Sequence, residues 1–237
     1  MDELWTVDLG LMPYREAHAL QHRVREARQA DVIPDTVLFV EHPPVYTRGR
    51  RSEPGELPFG EDWYAERGIE IVQVERGGKV TYHGPGQLIA YPIVRVDDVV
   101  QFVSDLERAI VLALADEGIE NARARSNEGR EFAGVWVDQR KIASIGLHIS
   151  HGVTMHGLAV NVTNDLTPFE WIVPCGLGGV AMTSVAAELG EGAGNVGVPC
   201  HRKRLGHRLA EVLGRRQRLV PPARLERVMQ EAAASVN

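Results

Sequence analysis

The chain has 237 residues, 44% of them hydrophobic and 24% charged, the composition of a well-packed globular protein rather than of a disordered segment. Its 26 Lys and Arg against 32 Asp and Glu give a formal net charge of -6, which argues against a binder of nucleic-acid phosphates. Two cysteines, Cys175 and Cys200, are too few for the stapled framework of a small secreted domain. The opening MDELWTVDLG has neither the basic nor the apolar region of a signal peptide, and no apolar run is long enough to span a bilayer, so a reducing cytoplasm is the expected compartment.

Taken in chain order, residues 1–9 alternate as an edge strand, and Tyr14 to Ala30 carries apolar positions at helical spacing. Residues 36–47 read as a buried strand broken at Pro43-Pro44, and residues 51–60, RSEPGELPFG, as a loop and candidate lid. Strands are predicted over 69–75 and 88–96, on either side of a glycine-rich segment, then a helix over 97–117. Residues 132–162 read as a three-strand meander with turns at Asp138-Gln139 and near Gly152. From Asp165 the chain turns irregular before two closing helices at 199–213 and 221–235. No repeat or linker divides it. The expectation is one α/β (α+β) domain over 1–237, a mixed, largely antiparallel sheet flanked by helices, with 199–237 as a C-terminal helical part. Residues 201–237 hold nine Lys and Arg against three Glu, read as a solvated helical face rather than a docking patch.

Only three of the 26 basic residues are lysine: Lys79, Lys141 and Lys203. Arginine cannot give up its proton at working pH whereas a lysine can be tuned to do so, so each lysine here invites a chemical reason. Lys141 heads the apolar strand KIASIGLHI directly after Arg140, and strand alternation sends the two side chains to opposite faces, a placement that suits a general base. The plain alternative is a lysine snorkelling at a strand end.

The segment RGGKVTYHGPGQLIAYP, residues 76–92, strips side chains at Gly77, Gly78, Gly84 and Gly86, so a ligand could lie against backbone N–H groups. It matches neither the phosphate-binding GxxxxGK spacing nor the dinucleotide GxGxxG. A tight hairpin whose glycines merely turn corners is the competing reading, against which stand Arg76 and His83, polar groups at the ends of one short strand. Cys175, between Pro174 and Gly176 in an irregular loop, is a candidate nucleophile, because glycines let backbone donors approach the oxyanion formed on attack at a carbonyl. Residues 151–200 contain no Lys or Arg, so a cationic neighbour for Cys175 must come from elsewhere, and Lys141 is a candidate. His148, His151, His156, His201 and His207 make no zinc-type spacing, and no metal site is expected.

Taken together, RGGKVTYHGPGQLIAYP, EHPPVYT at 41–47, KIASIGLHI, HGLAVNVTNDLTPF at 156–169 and VPCGL resemble the bacterial lipoyl(octanoyl) transferase family, in order from about Leu4 to Leu213. The resemblance implies the fold of biotin and lipoate protein ligase catalytic domains. It also implies an acyltransferase that moves an octanoyl or lipoyl group from acyl carrier protein to a lysine of lipoyl domains in 2-oxoacid dehydrogenases and the glycine cleavage H protein. By motif, Cys175 would accept the acyl group with Lys141 as its partner. Arg76, Gly77, Gly78, Lys79, Val80, Thr81, Tyr82 and His83, with Ser144, Ile145, Gly146, Gly157, Leu158 and Ala159, would line the acyl site. No cofactor is implied, since the acyl group arrives activated. One departure is GLHISHG at 146–152, where many relatives carry several arginines. An ATP-dependent lipoate ligase of the same fold, which needs no cysteine, and a non-catalytic acyl-binding protein are the rival readings.

Overall fold

A computed structural model describes residues 2–173, 180–190 and 196–234; Cys175 therefore lies outside the described residues. Strand β1 (Glu3–Leu11) leads into helix α1 (Tyr14–Gln29), which starts directly after Pro13, a residue whose fixed φ suits a helix entrance. The Pro43-Pro44 break separates β2 (Asp35–Glu41) from β3 (Val45–Arg48), and the two halves of the expected single strand belong to different sheets. A short helix α2 (Glu61–Ala65) and β4 (Glu70–Gln73) follow, then β5 (Val80–His83) and β6 (Gln87–Ile93). Helix α3 (Val99–Ala115) is capped by Asp98, whose carboxylate accepts from the N–H groups of Val100 and Gln101. After β7 (Ala122–Ala124) come the meander strands β8 (Gly134–Val137), β9 (Arg140–Ser150) and β10 (Val153–Asn161). A 3-10 turn over Thr167–Trp171 and α4 (Val185–Leu189) precede α5 (Val198–Val212), β11 (Arg216–Leu219) and α6 (Pro222–Ala234).

The large sheet has the order β11-β1-β2-β6-β10-β9-β8-β7. Only β1 pairs in parallel, with β2 and with β11, and the other pairings are antiparallel, so the sheet is mixed and largely antiparallel as expected. Strand β1 is not the edge: RQRL at 216–219 pairs beside it, a polar stretch with no apolar alternation to announce a strand. A smaller sheet of order β4-β3-β5 stands beside the first. Because β5 pairs with β3 and β6 with β2 and β10, residues 76–92 bridge two sheets, and the hairpin reading of that segment is overturned.

Helices cover both faces of the large sheet. Phe102, Leu106 and Ile110 of α3 and Leu205 and Leu209 of α5 bury against Phe39, Leu88, Ala90 and Val160. On the opposite face Ala17, Leu20 and Val24 of α1 and Leu225 of α6 bury against Leu38, Val40, Ile89 and Ile93. Each fully buried Leu or Ile contributes about 1.5–3 kcal/mol relative to exposure, an upper figure because the unfolded chain is already partly collapsed. A third cluster, Tyr46, Tyr64, Tyr82 and Phe169, ties the small sheet to the 3-10 turn, with the Tyr46 hydroxyl donating to Pro168 O at 2.6 Å and the Tyr64 hydroxyl to Trp171 O at 2.7 Å. Among the described residues no helix is long and apolar enough to cross a membrane.

Candidate active site

A cavity of about 300 Å³ lies between the two sheets, toward the small end of the range for small-molecule sites. Its walls come from residues 76–83, from β9 at Lys141 and Ser144 to Leu147, and from β10 at His156 to Ala159. The segments picked out in the sequence therefore converge. Of the expected lining residues among those described, only Tyr82 faces away: strand alternation turns its ring into the aromatic cluster, 5.5 Å from Tyr46 and 5.5 Å from Phe169.

Strand β9 presents Lys141 through a bulge. Trp136 pairs with Lys141 but Val135 with Ala143, which leaves Ile142 as an extra residue and re-aims the side chains at the strand's start. Arg140 turns outward to Glu188 at 3.0 Å and Asp138 at 3.5 Å, while Lys141 turns inward with Nζ 5.2 Å from the Trp136 ring centroid. Gly134 makes room for it. At φ +130°, a Cβ on Gly134 would stand 2.2 Å from Ala143 O and 3.0 Å from Lys141 Cε. The Lys141 backbone also holds the segment after residue 179, accepting from Thr183 N at 3.0 Å and donating to Ala181 O at 2.8 Å. That amide N–H is consequently engaged and is not an oxyanion donor.

Cys175 lies outside the described residues, but Ile172 on one side of its segment and Val180 on the other both line the cavity. The Val173 N–H donates to Glu56 O at 2.9 Å, anchoring that approach to the loop over residues 51–60. The same loop is stapled to the glycine-rich segment: the buried Glu56 carboxylate accepts from Val80 N at 3.1 Å, and Lys79 Nζ lies 3.2 Å from Glu53 and 3.5 Å from Glu56. Lys79 is thus an ion-paired wall residue, its pKa raised chiefly by Glu53.

Two expectations about the glycine-rich segment change. The Gly77 N–H donates to Leu147 O at 2.9 Å, so it secures this segment to β9 instead of facing a ligand. Arg76 is not on a strand with His83; it sits before the turn, buried, its guanidinium donating to Thr47 O at 2.6 Å, Thr47 Oγ1 at 2.7 Å and Gly77 O at 2.9 Å. Gly146 and Gly157 are register partners across β9 and β10, and a Cβ on Gly157 would stand 2.2 Å from Ala90 O. Only a residue without a side chain fits there.

A polar wall behind the cavity escaped the sequence reading. His83 Nδ1 donates to Gln87 Oε1 at 2.7 Å, Gln87 Nε2 donates to Asn161 Oδ1 at 2.8 Å, and Asn161 Nδ2 donates to Thr183 O at 3.0 Å. This chain links the cavity floor to the strand edge beside Lys141 and leaves His83 Nε2 as the imidazole's acceptor. Burial pushes His83 down to about 3, so the ring is neutral at physiological pH. His42 donates from Nδ1 to Met12 O and accepts from the Tyr91 hydroxyl, each at 2.7 Å, and burial lowers it to about 4. Tyr14 stacks on His83 with ring centroids 6.2 Å apart, and burial raises its phenol above the ordinary range.

Comparison with known proteins places this geometry. Residues 13–199 match the family model described as the lipoyl protein ligase A/B catalytic domain. The octanoyltransferase of Thermobifida fusca is 44% identical over 214 residues, covering 86% of this chain and 85% of that protein. The octanoyltransferase of Desulfotalea psychrophila is 44% identical over 191 residues, covering 78% of this chain and 83% of its own. A crystal structure of lipoate-protein ligase A bound with ATP aligns with a TM-score of 0.74 at 17% identity, over 97% of this chain and 93% of that one, a likeness of fold alone. With a family model spanning most of the chain and relatives this similar, the protein belongs to the lipoyl protein ligase A/B catalytic-domain family, on its octanoyltransferase branch of acyl-transferring enzymes.

Proposed function

We propose that this octanoyltransferase moves the acyl group through a thioester on Cys175, with Lys141 carrying the protons. The donor is octanoyl acyl carrier protein, and the acceptor is a lysine of lipoyl domains in 2-oxoacid dehydrogenases and the glycine cleavage H protein. The observation that carries the reading is the cavity itself: its walls include Lys141 and, on both sides of the Cys175 segment, Ile172 and Val180.

Lys141 Nζ takes the proton of Cys175, and the thiolate attacks the thioester carbonyl. Collapse of the tetrahedral intermediate expels the carrier's thiolate, which recovers a proton from the Lys141 ammonium. One thioester replaces another, so this half-reaction is nearly isoenergetic. In the second half the acceptor lysine, neutral, attacks the Cys175 thioester; Lys141 receives the proton lost as the amide forms, and Cys175 leaves as thiolate. Burial of an octanoyl chain's six methylenes, at about 0.8 kcal/mol each, offers roughly 5 kcal/mol to position the carbonyl. A free thiol in this role fits a reducing cytoplasm.

The test is reconstitution: octanoyl carrier protein, a lipoyl domain and the enzyme, without nucleotide. Octanoylation of the lipoyl domain is expected. A requirement for ATP and free octanoate would overturn the reading in favour of a ligase.

A further inference from the structure

A residue type that can ligate a metal stands at the start of each of two cavity-lining segments: Glu75 directly precedes Arg76, and His156 opens the lining stretch of β10. Helix α1 brings His18 and His22, one turn apart, onto the same carboxylate. His18 Nε2 lies 3.1 Å from Glu75 Oε2, His156 Nε2 lies 3.7 Å from the same oxygen, and His22 Nε2 lies 3.1 Å from Oε1. Donor atoms of His18, Glu75 and His156 all lie within 4.8 Å of one another. Ligands about 2.1 Å from a tetrahedral zinc ion stand roughly 3.4 Å apart, and the two nitrogen-to-Oε2 separations bracket that spacing.

His156 supplies the second, independent observation. It is 1% exposed, and its Nε2 makes no hydrogen bond of normal length, Glu75 Oε2 standing off at 3.7 Å, whereas buried polar atoms are usually fully paired. Its backbone sits at φ +59°, in the left-handed region, in the middle of a strand. Gln21 holds it there by accepting the His156 N–H at 2.9 Å, and the Tyr14 hydroxyl lies 3.4 Å from Nδ1. With Nδ1–H donating to the Tyr14 hydroxyl, the Nε2 lone pair faces the cluster, the arrangement found behind metal-bound imidazoles. Of the four non-glycine residues with positive φ among those described, His156 is the buried one, and a strained backbone at a buried position points to a use for its side chain.

We propose that His18, Glu75 and His156 bind one divalent transition ion of the zinc class, with the fourth position open to water or to His22. Two neutral nitrogens and a carboxylate suit such an ion better than magnesium or calcium, which prefer oxygen. The ion braces the cavity, joining α1 to the segments that carry Arg76 and Gly157, and takes no part in acyl transfer. The inference is independent of the Cys175 mechanism.

The test uses the full chain in a Cys175→Ser/Cys200→Ser background, which removes thiol ligands, after stripping with a chelator. Titration with Co2+ should give one equivalent with the visible bands of a tetrahedral site, displaced by Zn2+, and Zn2+ should raise the Tm. Loss of a partner behind a metal ligand costs about 10–100-fold in affinity, so Tyr14→Phe should fall in that range, and His18→Ala and Glu75→Gln by more than about 100-fold. His18 is 22% exposed on a helix face, so its truncation keeps the fold, which circular dichroism checks. Failure to bind one equivalent, or unchanged affinity in His18→Ala and Glu75→Gln, overturns the proposal.

Discussion

Replacing Lys141 by Arg separates two roles that a cation can play beside a thiol. The change keeps the positive charge, and the structure offers a guanidinium a place: Lys141 Nζ lies over the Trp136 ring at 5.2 Å, and arginine stacks on indole at least as well as lysine does. The absence of a side chain at Gly134 leaves room beside the stem. Stability should therefore change little. What is lost is the ability to accept a proton, since a guanidinium stays charged. Positioned proton transfer is worth about 100- to 10,000-fold, or roughly 2.7–5.5 kcal/mol of barrier. Rapid-quench single-turnover measurement of each half-reaction is the assay. Acylation should survive in part, because the guanidinium still favours the thiolate, whereas transfer to the acceptor lysine should fall at least about 100-fold. Near-wild-type rates in both half-reactions, in a variant of unchanged Tm, would refute proton transfer by Lys141.

Three further outcomes follow from the geometry. Gly77→Val should impair acyl transfer with little loss of Tm, because a Cβ at Gly77 meets only Leu147 O at 3.5 Å, while Gly134→Ala, strained at φ +130° and blocked by Ala143 O, should lose stability by about 1–3 kcal/mol or more; equal Tm losses in the two variants would contradict this. A hexanoyl donor, two methylenes shorter, should lose about 1.6 kcal/mol of burial and so about 15-fold in kcat/KM, and equal use of both donors would show that the cavity does not hold the chain's end. His42 and His83 have folded pKa values near 4 and 3, below the unfolded value of about 6.5. The unfolded chain binds the protons that the folded one refuses, so stability is full above about pH 6.5 and falls with acidification, by up to about 1.4 kcal/mol per pH unit per histidine; denaturant midpoints that stay flat from pH 6.5 to 4.5 would contradict those environments.

Much of this was legible because the relevant signals are local. The meander's strands, the α3 periodicity and the Pro43-Pro44 break could be read directly, and the scarcity of lysine singled out Lys141. Strand β11 was not legible, because Arg216–Leu219 carries polar residues on both sides and is a strand only through its pairing with β1. The pairing of β5 with β3 was hidden for a similar reason: glycines announce a turn but not which sheet follows it. The histidine and glutamate cluster draws on α1, the chain after β4, and β10, so no sequence spacing encodes it whole. Its one readable trace was His18 and His22, four apart on a predicted helix. Gln87 and Asn161 fall inside two of the quoted motifs, but their part in orienting His83 shows only when the strands bring them together.

Intact-mass analysis of the enzyme mixed with octanoyl carrier protein and quenched before any lipoyl domain is added tests the Cys175 thioester most directly. A single added octanoyl group that maps to Cys175, and that neutral hydroxylamine removes, is the predicted result. An adduct on Cys200, or none at any quench time while octanoyl transfer proceeds, would contradict it.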